Sequence, residues 1–327
     1  MAVYTEVSDD DLAALSAAYD IGEIVSCKGI AEGVENSNFL IETTRGPYIL
    51  TLYEKRVDPK DLPFFLGFME HLAEAGCVAC PVPIKGRDGQ TLRTIAGRPG
   101  AIISFLRGMW PRRITPEHCA ELGTAMAKLH NAGLSYPGVR ANNLSVEGWR
   151  TLVGKISEET AATLDPSLPG LMRSELEVLS AAWPVLRATP DLPSGVIHAD
   201  LFPDNVFFLD GKCSGLIDFY FACTDFLAYD VAICLNAWCF EPTGELNSTK
   251  AKRMLSAYEA VRPLSELEKE TLPLFARGSA LRFMLTRLYD WVNTPPGALV
   301  KPKDPREYLQ KLNFHRQVKS VGEYGLG

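Results

Sequence analysis

The stretch His198-Ala199-Asp200-Leu201-Phe202-Pro203-Asp204-Asn205, followed by Leu216-Ile217-Asp218-Phe219, constrains this chain more than any other. Val206 to Leu209 reads as a short apolar strand, Asp210-Gly211 as a tight turn, and Gly215 to Phe219 as the returning strand. In such an antiparallel hairpin the residue entering the first strand and the one leaving the second sit roughly 5 Å apart. Asn205 and Asp218 are therefore expected to meet at the open end. Two oxygen donors facing one point suit Mg²⁺, which takes few protein oxygens and keeps its other positions for water and phosphates. Asp200, just upstream, is left to accept a proton from an incoming hydroxyl. The pattern points to phosphoryl transfer, in which a carboxylate orients the nucleophile and a metal carries most of the charge stabilisation.

Asp and Asn are common in turns, and His-x-Asp alone recurs by chance. The fuller context weighs against chance, because a second Asp inside an apolar strand is costly unless it has partners. His198 reads as a packed residue that braces the loop, since Asp200 already fills the base role.

These motifs resemble the aminoglycoside phosphotransferase-like kinases, a family with a protein-kinase-like fold. The family loop reads His-Gly-Asp-Leu-x-x-x-Asn, from which this chain departs at Ala199. The resemblance implies a bilobal α+β fold, with a small β-rich N-lobe over residues 1–107 and a larger, mostly helical C-lobe over 108–327. It implies Asp200 as catalytic base, Asn205 and Asp218 as Mg²⁺ ligands, ATP as phosphoryl donor, and Asp230 as a buttress of the loop.

Upstream, Gly29 to Ile41 lies between two strand-like runs, Glu23 to Ser26 and Phe39 to Glu42, and looks like the family's nucleotide-covering hairpin. Small residues matter there because backbone N–H groups must approach phosphate closely. Gly33 and Ser37 are candidate nucleotide contacts, and Asn36 a candidate substrate contact; an ordinary hairpin connection would carry similar letters. In the strand Tyr48 to Tyr53, Thr51 stands where many relatives carry a Lys or Arg for the phosphates. Lys28, Lys55 and Arg56 are the alternative cations, and Glu70, on the amphipathic segment Leu62 to Ala75, is either a partner for such a cation or a solvated charge. The apolar run Ala101 to Gly108 matches the family hinge, with Ser104 and Leu106 expected to cradle adenine through their backbone.

Acceptor specificity is expected from Arg277 to Trp291, which reads as a helix with Leu281, Met284, Leu285 and Leu288 on one face and Arg282, Thr286 and Asp290 on another. An amino acid needs a cation for its carboxylate and an anion for its ammonium, here Arg282 and Asp290. Arg287 and Asp290 could equally form a surface pair at i, i+3. This segment and the Tyr48 to Arg56 wording resemble the homoserine kinase branch of the family. That resemblance implies L-homoserine as acceptor, O-phospho-L-homoserine as product and a place in threonine biosynthesis. Other small-alcohol kinases acting on choline, hydroxylysine or an aminoglycoside, and a nucleotide-binding pseudokinase motivated by Thr51, stay open alternatives.

A chain of 327 residues, 46% hydrophobic, is long enough for two lobes. Its formal net charge of -7 argues against nucleic acid as a partner, which calls for a basic footprint. No membrane partner is expected: the N-terminus lacks a signal-peptide pattern, and Phe226 to Phe240 is short and contains Asp230 and Asn236, so it reads as a buried helix. A cytoplasmic protein is expected, and a homodimer is one arrangement left open. The eight cysteines lack the spacing of a disulfide framework and read mostly as buried thiols, with Cys77 and Cys80 no exception. Ser8 to Asp11 looks like a helix cap, Thr115-Pro116-Glu117 like a helix start, and His130 like a packed residue in the helix that follows. Tyr136 to Gly148 reads as a loop; Pro295-Pro296-Gly297 breaks the chain before a tail in which Tyr308 to Val318 reads as helical and packs on the C-lobe.

Overall fold

The computed structural model describes residues 4–30, 36–54, 57–294 and 302–326. Gly33, Lys55, Arg56 and the Pro295-Pro296-Gly297 break lie outside them. Helix α1 (Asp9–Ala18) opens on the expected cap, with Ser8 and Asp11 exchanging side-chain and backbone hydrogen bonds. Strands β1 (Ile24–Gly29), β2 (Ser37–Thr43) and β3 (Gly46–Leu52) follow. Helix α2 (Leu62–Ala75) ends at Gly76, whose φ of +61° stops it. Strands β4 (Leu92–Ile95) and β5 (Arg98–Ser104) complete an antiparallel sheet in the order β1-β2-β3-β5-β4.

After β5 the chain crosses to a helical half through residues 105–108. Gly108 has a φ of +135°, and a Cβ there would come 2.2 Å from the Ser214 hydroxyl, so the crossing needs a residue without one. Beyond it come α3 (Pro116–Gly133), α4 (Val146–Lys155), α5 (Glu158–Leu164), α6 (Leu168–Arg187) and the strand β6 (Ser194–Ile197). The hairpin is β7 (Val206–Leu209) and β8 (Lys212–Leu216); β9 (Cys223–Phe226) pairs back with β6. Helices α7 (Leu227–Trp238), α8 (Ser248–Glu259), α9 (Glu266–Asn293) and α10 (Arg306–His315) finish the fold.

Several local readings hold. Thr115 caps α3 with His118 in a reciprocal box, α7 lies buried where the hydrophobic run was read, and α10 occupies the tail. The turn of the hairpin is Asp210-Gly211, with φ of +50° and +77°, the two left-handed residues a two-residue hairpin demands. The returning strand differs from expectation: it spans Lys212 to Leu216 rather than Gly215 to Phe219, because Asp218 at φ +63° cannot continue an extended ladder. Of the cysteines, Cys80, Cys119, Cys223, Cys234 and Cys239 are buried and Cys27, Cys77 and Cys213 partly so. Among the described residues no helix is long and apolar enough to cross a membrane.

Two hydrophobic cores divide the molecule. A small one behind the sheet gathers Leu15 and Tyr19 from α1 with Phe39, Ile41, Leu50 and Ile102. The large one runs through the helical half and takes in α2 as well, through Phe65, Phe68, Met69 and Leu72.

Candidate active site

Between sheet and helical half lies a cavity of about 930 Å³. Asp200, Asn205 and Asp218 all border it, as their spacing predicted. Asn205 donates from Nδ2 to the Asp200 carbonyl at 2.8 Å and to its Oδ2 at 3.2 Å, which ties the two residues into one unit. Ile217 donates to the Asn205 carbonyl at 3.0 Å, extending the Val206–Leu216 pairing and drawing the Asp218 strand end to Asn205. Because the amide nitrogen of Asn205 faces Asp200, its oxygen is the atom left for a cation beside the Asp218 carboxylate. Two hard oxygen donors fit Mg²⁺, which needs few ligands from protein.

The loop is fastened from beneath by a buried carboxylate. Asp230 accepts the amides of His198 and Ala199, each at 2.9 Å, and the Nε2 proton of His130 at 3.2 Å. Burial works to raise the Asp230 pKa, but the hydrogen bonds and the neighbouring histidines prevail and hold it below the ordinary carboxylate value. His130 is packed as expected, its Nδ1 accepting from the Tyr258 hydroxyl at 2.7 Å. His198 is also fully buried; its Nε2 donates to the Ile217 carbonyl at 2.9 Å and its ring lies 4.6 Å from that of Phe219. Burial lowers its pKa to about 4, so it is a neutral brace between the two halves of the site. Ala199 takes a φ of +63°, the left-handed region that the family pattern fills with Gly.

On the sheet side, Ser104 and Leu106 border the cavity, and Ser104 is pinned to Val82 by two hydrogen bonds at 2.9 Å. Thr51 donates to Asn38 Oδ1 at 2.8 Å, so the position expected for a cation anchors a neighbouring strand instead. Lys28 is exposed on β1 and does not border the cavity. Glu70 lies 3.7 Å from Lys85. Asn36 borders the cavity, whereas Ser37 is buried outside it: its hydroxyl donates to Glu54 Oε1 at 2.8 Å and accepts the Tyr4 amide at 2.8 Å. The side chain read as a nucleotide contact is thus committed to the base of the sheet.

At the other end, Arg282, Thr286 and Asp290 border the cavity on one face of α9, as the helical period predicted. Arg282, expected to clamp the substrate, has one of its nitrogens engaged within the protein. It is 1% exposed, its Nη1 donates to the Ala199 carbonyl at 2.8 Å, and its guanidinium lies 4.5 Å from the Phe283 ring. It belongs to the wall that shapes the loop. Arg287 pairs with Glu307 of α10 at 2.5 Å rather than with Asp290. Sequence reasoning missed Asn38, Tyr220 and Lys303, which also border the cavity. Asn38 sits one residue beyond Ser37 in a segment already singled out, whereas Lys303 carries no local signal beyond its setting between Pro302 and Pro305. Burial pushes the Tyr220 phenol up to about 12; its hydroxyl lies 3.2 Å from that of Tyr53.

The phosphotransferase enzyme family matches residues 26–264. The homoserine kinase of Paramagnetospirillum magneticum is 62% identical over 332 residues, covering 100% of each chain. That of Rhodospirillum rubrum is 61% identical over 326 residues, covering 100% of this chain and 99% of its own. Among solved structures, an amicoumacin kinase in complex with AMP-PNP and Ca²⁺ superposes with a TM-score of 0.70 at 15% identity, covering 96% of this chain and 95% of that one. A microcompartment-associated aminopropanol kinase gives 0.66 at 18% identity, covering 97% and 98%. At such identities the structural likeness speaks for the fold alone, and the fold is the bilobal kinase-like one expected. The chain belongs to the phosphotransferase enzyme family, in the branch formed by the homoserine kinases.

Proposed function

We propose that this protein transfers the γ-phosphoryl group of ATP to the side-chain hydroxyl of L-homoserine, giving ADP and O-phospho-L-homoserine for threonine biosynthesis in the cytoplasm. The observation that carries the reading is the convergence of Asp200, Asn205 and Asp218 on one cavity, in a chain more than 60% identical to homoserine kinases over its whole length.

In this reading adenine lies against the backbone of Ser104 to Leu106, at the end of β5, and the lobes divide at 107/108. Asn205 Oδ1 and Asp218 would hold Mg²⁺, which would supply the positive charge that offsets charge developing on the transferring phosphoryl group. Asp200 accepts the hydrogen bond of the acceptor hydroxyl and takes its proton as the new P–O bond forms. Asn205 keeps that carboxylate turned to the nucleophile through its 3.2 Å hydrogen bond. Asp230 and Arg282, holding the Ala199 amide and carbonyl from opposite sides, place Asp200 before substrate arrives, so little reorganisation is left for the chemical step. Asp290 supplies negative charge for the ammonium of the acceptor at the far end.

Purified protein with Mg²⁺ and ATP is expected to release ADP on addition of L-homoserine and not of choline or kanamycin. Equal release with choline, or nucleotide binding with no turnover on any of the three, would overturn the assignment.

A further inference from the structure

Three cationic side chains border the cavity among the described residues, and two of them already contact acceptors within the protein. Arg282 donates to the Ala199 carbonyl. Arg287 reaches Glu307, and its guanidinium lies 4.4 Å from the Tyr308 ring. The third, Lys303, is exposed at the mouth of the cavity and meets a ring instead of a carboxylate: its ammonium lies 5.6 Å from the centroid of Phe202. Phe202 is two residues from Asp200 in the catalytic loop.

The approach of Lys303 to that loop is built by the fold. Phe202 packs edge-on against Phe283 of α9 at 4.8 Å, and Phe283 lies 5.4 Å from Tyr308 of α10, so three rings connect the catalytic loop to the C-terminal segment. Arg287 also donates to the Asp304 carbonyl at 3.4 Å, Asp304 accepts the Arg306 amide at 2.9 Å, and Pro305 is buried. The backbone that follows the lysine is thereby pinned while its ammonium faces the cavity. Asp290 borders the same cavity with the opposite charge. An amino-acid zwitterion asks for both signs; Arg282 is buried in the wall with its Nη1 turned to the Ala199 carbonyl, whereas Lys303 is exposed at the cavity. An ammonium resting on an aromatic face exchanges that contact readily for a carboxylate, which is the stronger partner.

We propose that Lys303 binds the α-carboxylate of the acceptor, so that the C-terminal segment supplies the contact by which the site tells an amino acid from an amino alcohol. The inference rests on the acceptor reading above and deepens it. Lys303 is a specificity residue here, reached only because α10 docks against α9.

The test compares the wild-type enzyme with Lys303→Met and Lys303→Arg, using L-homoserine and L-homoserinol, in which a CH₂OH group replaces the carboxylate. In Lys303→Met the KM for L-homoserine is expected to rise on the order of 30-fold, the loss that a charge-assisted hydrogen bond implies. The KM for ATP and the inhibition constant of L-homoserinol against L-homoserine stay within about twofold, and Lys303→Arg recovers most of the loss. Weakening of both ligands alike, a raised KM for ATP, or an unchanged KM for L-homoserine overturns the proposal. A wild-type enzyme inactive on L-homoserine but active on another alcohol would instead overturn the acceptor reading itself, so the two failures are told apart before any variant is made.

Discussion

The carboxylate of Asp230 lies directly beneath Ala199: Oδ1 accepts the Ala199 amide at 2.9 Å while Oδ2 accepts that of His198 at the same distance. Asp230→Asn turns one acceptor into a donor facing an N–H in a fully buried place. The expected cost is about 3 kcal/mol of folding stability, the scale of a lost buried charged acceptor. Urea denaturation followed by far-UV circular dichroism measures it. A variant as stable as the parent would mean that the loop is held by other contacts.

Arg282→Met keeps much of the side-chain bulk but removes the donor to the Ala199 carbonyl and the guanidinium packed on Phe283. Stability is expected to fall by about 2 kcal/mol, with kcat lowered and the KM for L-homoserine little changed. The opposite pattern, intact stability with a large rise in that KM, would return Arg282 to the substrate.

Asp200→Asn leaves the hydrogen bond from Asn205 to the Asp200 backbone carbonyl in place and removes the proton acceptor. Steady-state kinetics is expected to show kcat reduced by about 10²–10⁴ with the KM for ATP preserved. Loss of less than tenfold would exclude Asp200 as the base.

Burial lowers the pKa of His198 to about 4 and that of His315 to about 3, against an ordinary value of 6.5. Between pH 6.5 and 4 the unfolded chain therefore binds protons at these positions that the folded chain does not, and stability falls as pH falls. The loss at pH 5, relative to neutral pH, is about 2 kcal/mol for each histidine. Denaturation at stepwise pH measures the slope, and His315→Asn is expected to remove about half of it. A flat profile across that window would show that neither ring is held neutral.

Glu54 gathers the Ser37 and Thr5 hydroxyls on Oε1, at 2.8 and 2.7 Å, and Arg98 on Oε2 at 3.2 Å. Glu54→Ala therefore detaches the N-terminal segment from the base of the β1–β2 hairpin. A rise in the KM for ATP of severalfold is expected with the KM for L-homoserine unchanged, alongside about 2 kcal/mol of lost stability. Unchanged ATP kinetics would separate this anchor from the nucleotide.

What could be read before any coordinates follows the distance over which each contact acts. The site from His198 to Asp218 was legible because one two-residue turn, with its Asp-Gly signature, dictates which strand ends meet. The helical period also put Arg282, Thr286 and Asp290 on the cavity face correctly. It could not say that Arg282 would turn to a main-chain carbonyl, because period specifies a direction and not the acceptor waiting there. Ser37 was misread for a similar reason: a small hydroxyl beside a glycine-bearing loop looks like a phosphate contact, and only the distant Glu54 and Tyr4 claim it. Lys303 lies about a hundred residues from Phe202, and no local pattern announces a contact made by docking one helix on another.

Helix α2 lies on the sheet side of the chain order yet shares the large core, with Phe65 edge-on to Tyr220 at 5.8 Å and Phe68 to Phe219 at 6.0 Å. Carrying α2 away with the sheet would strip those rings from their partners and wet an interior the rest of the molecule depends on. The packing seam therefore differs from the seam in the chain: α2 belongs with the helical half through its rings, while Phe39, Ile41, Leu50 and Ile102 of the sheet keep company with α1.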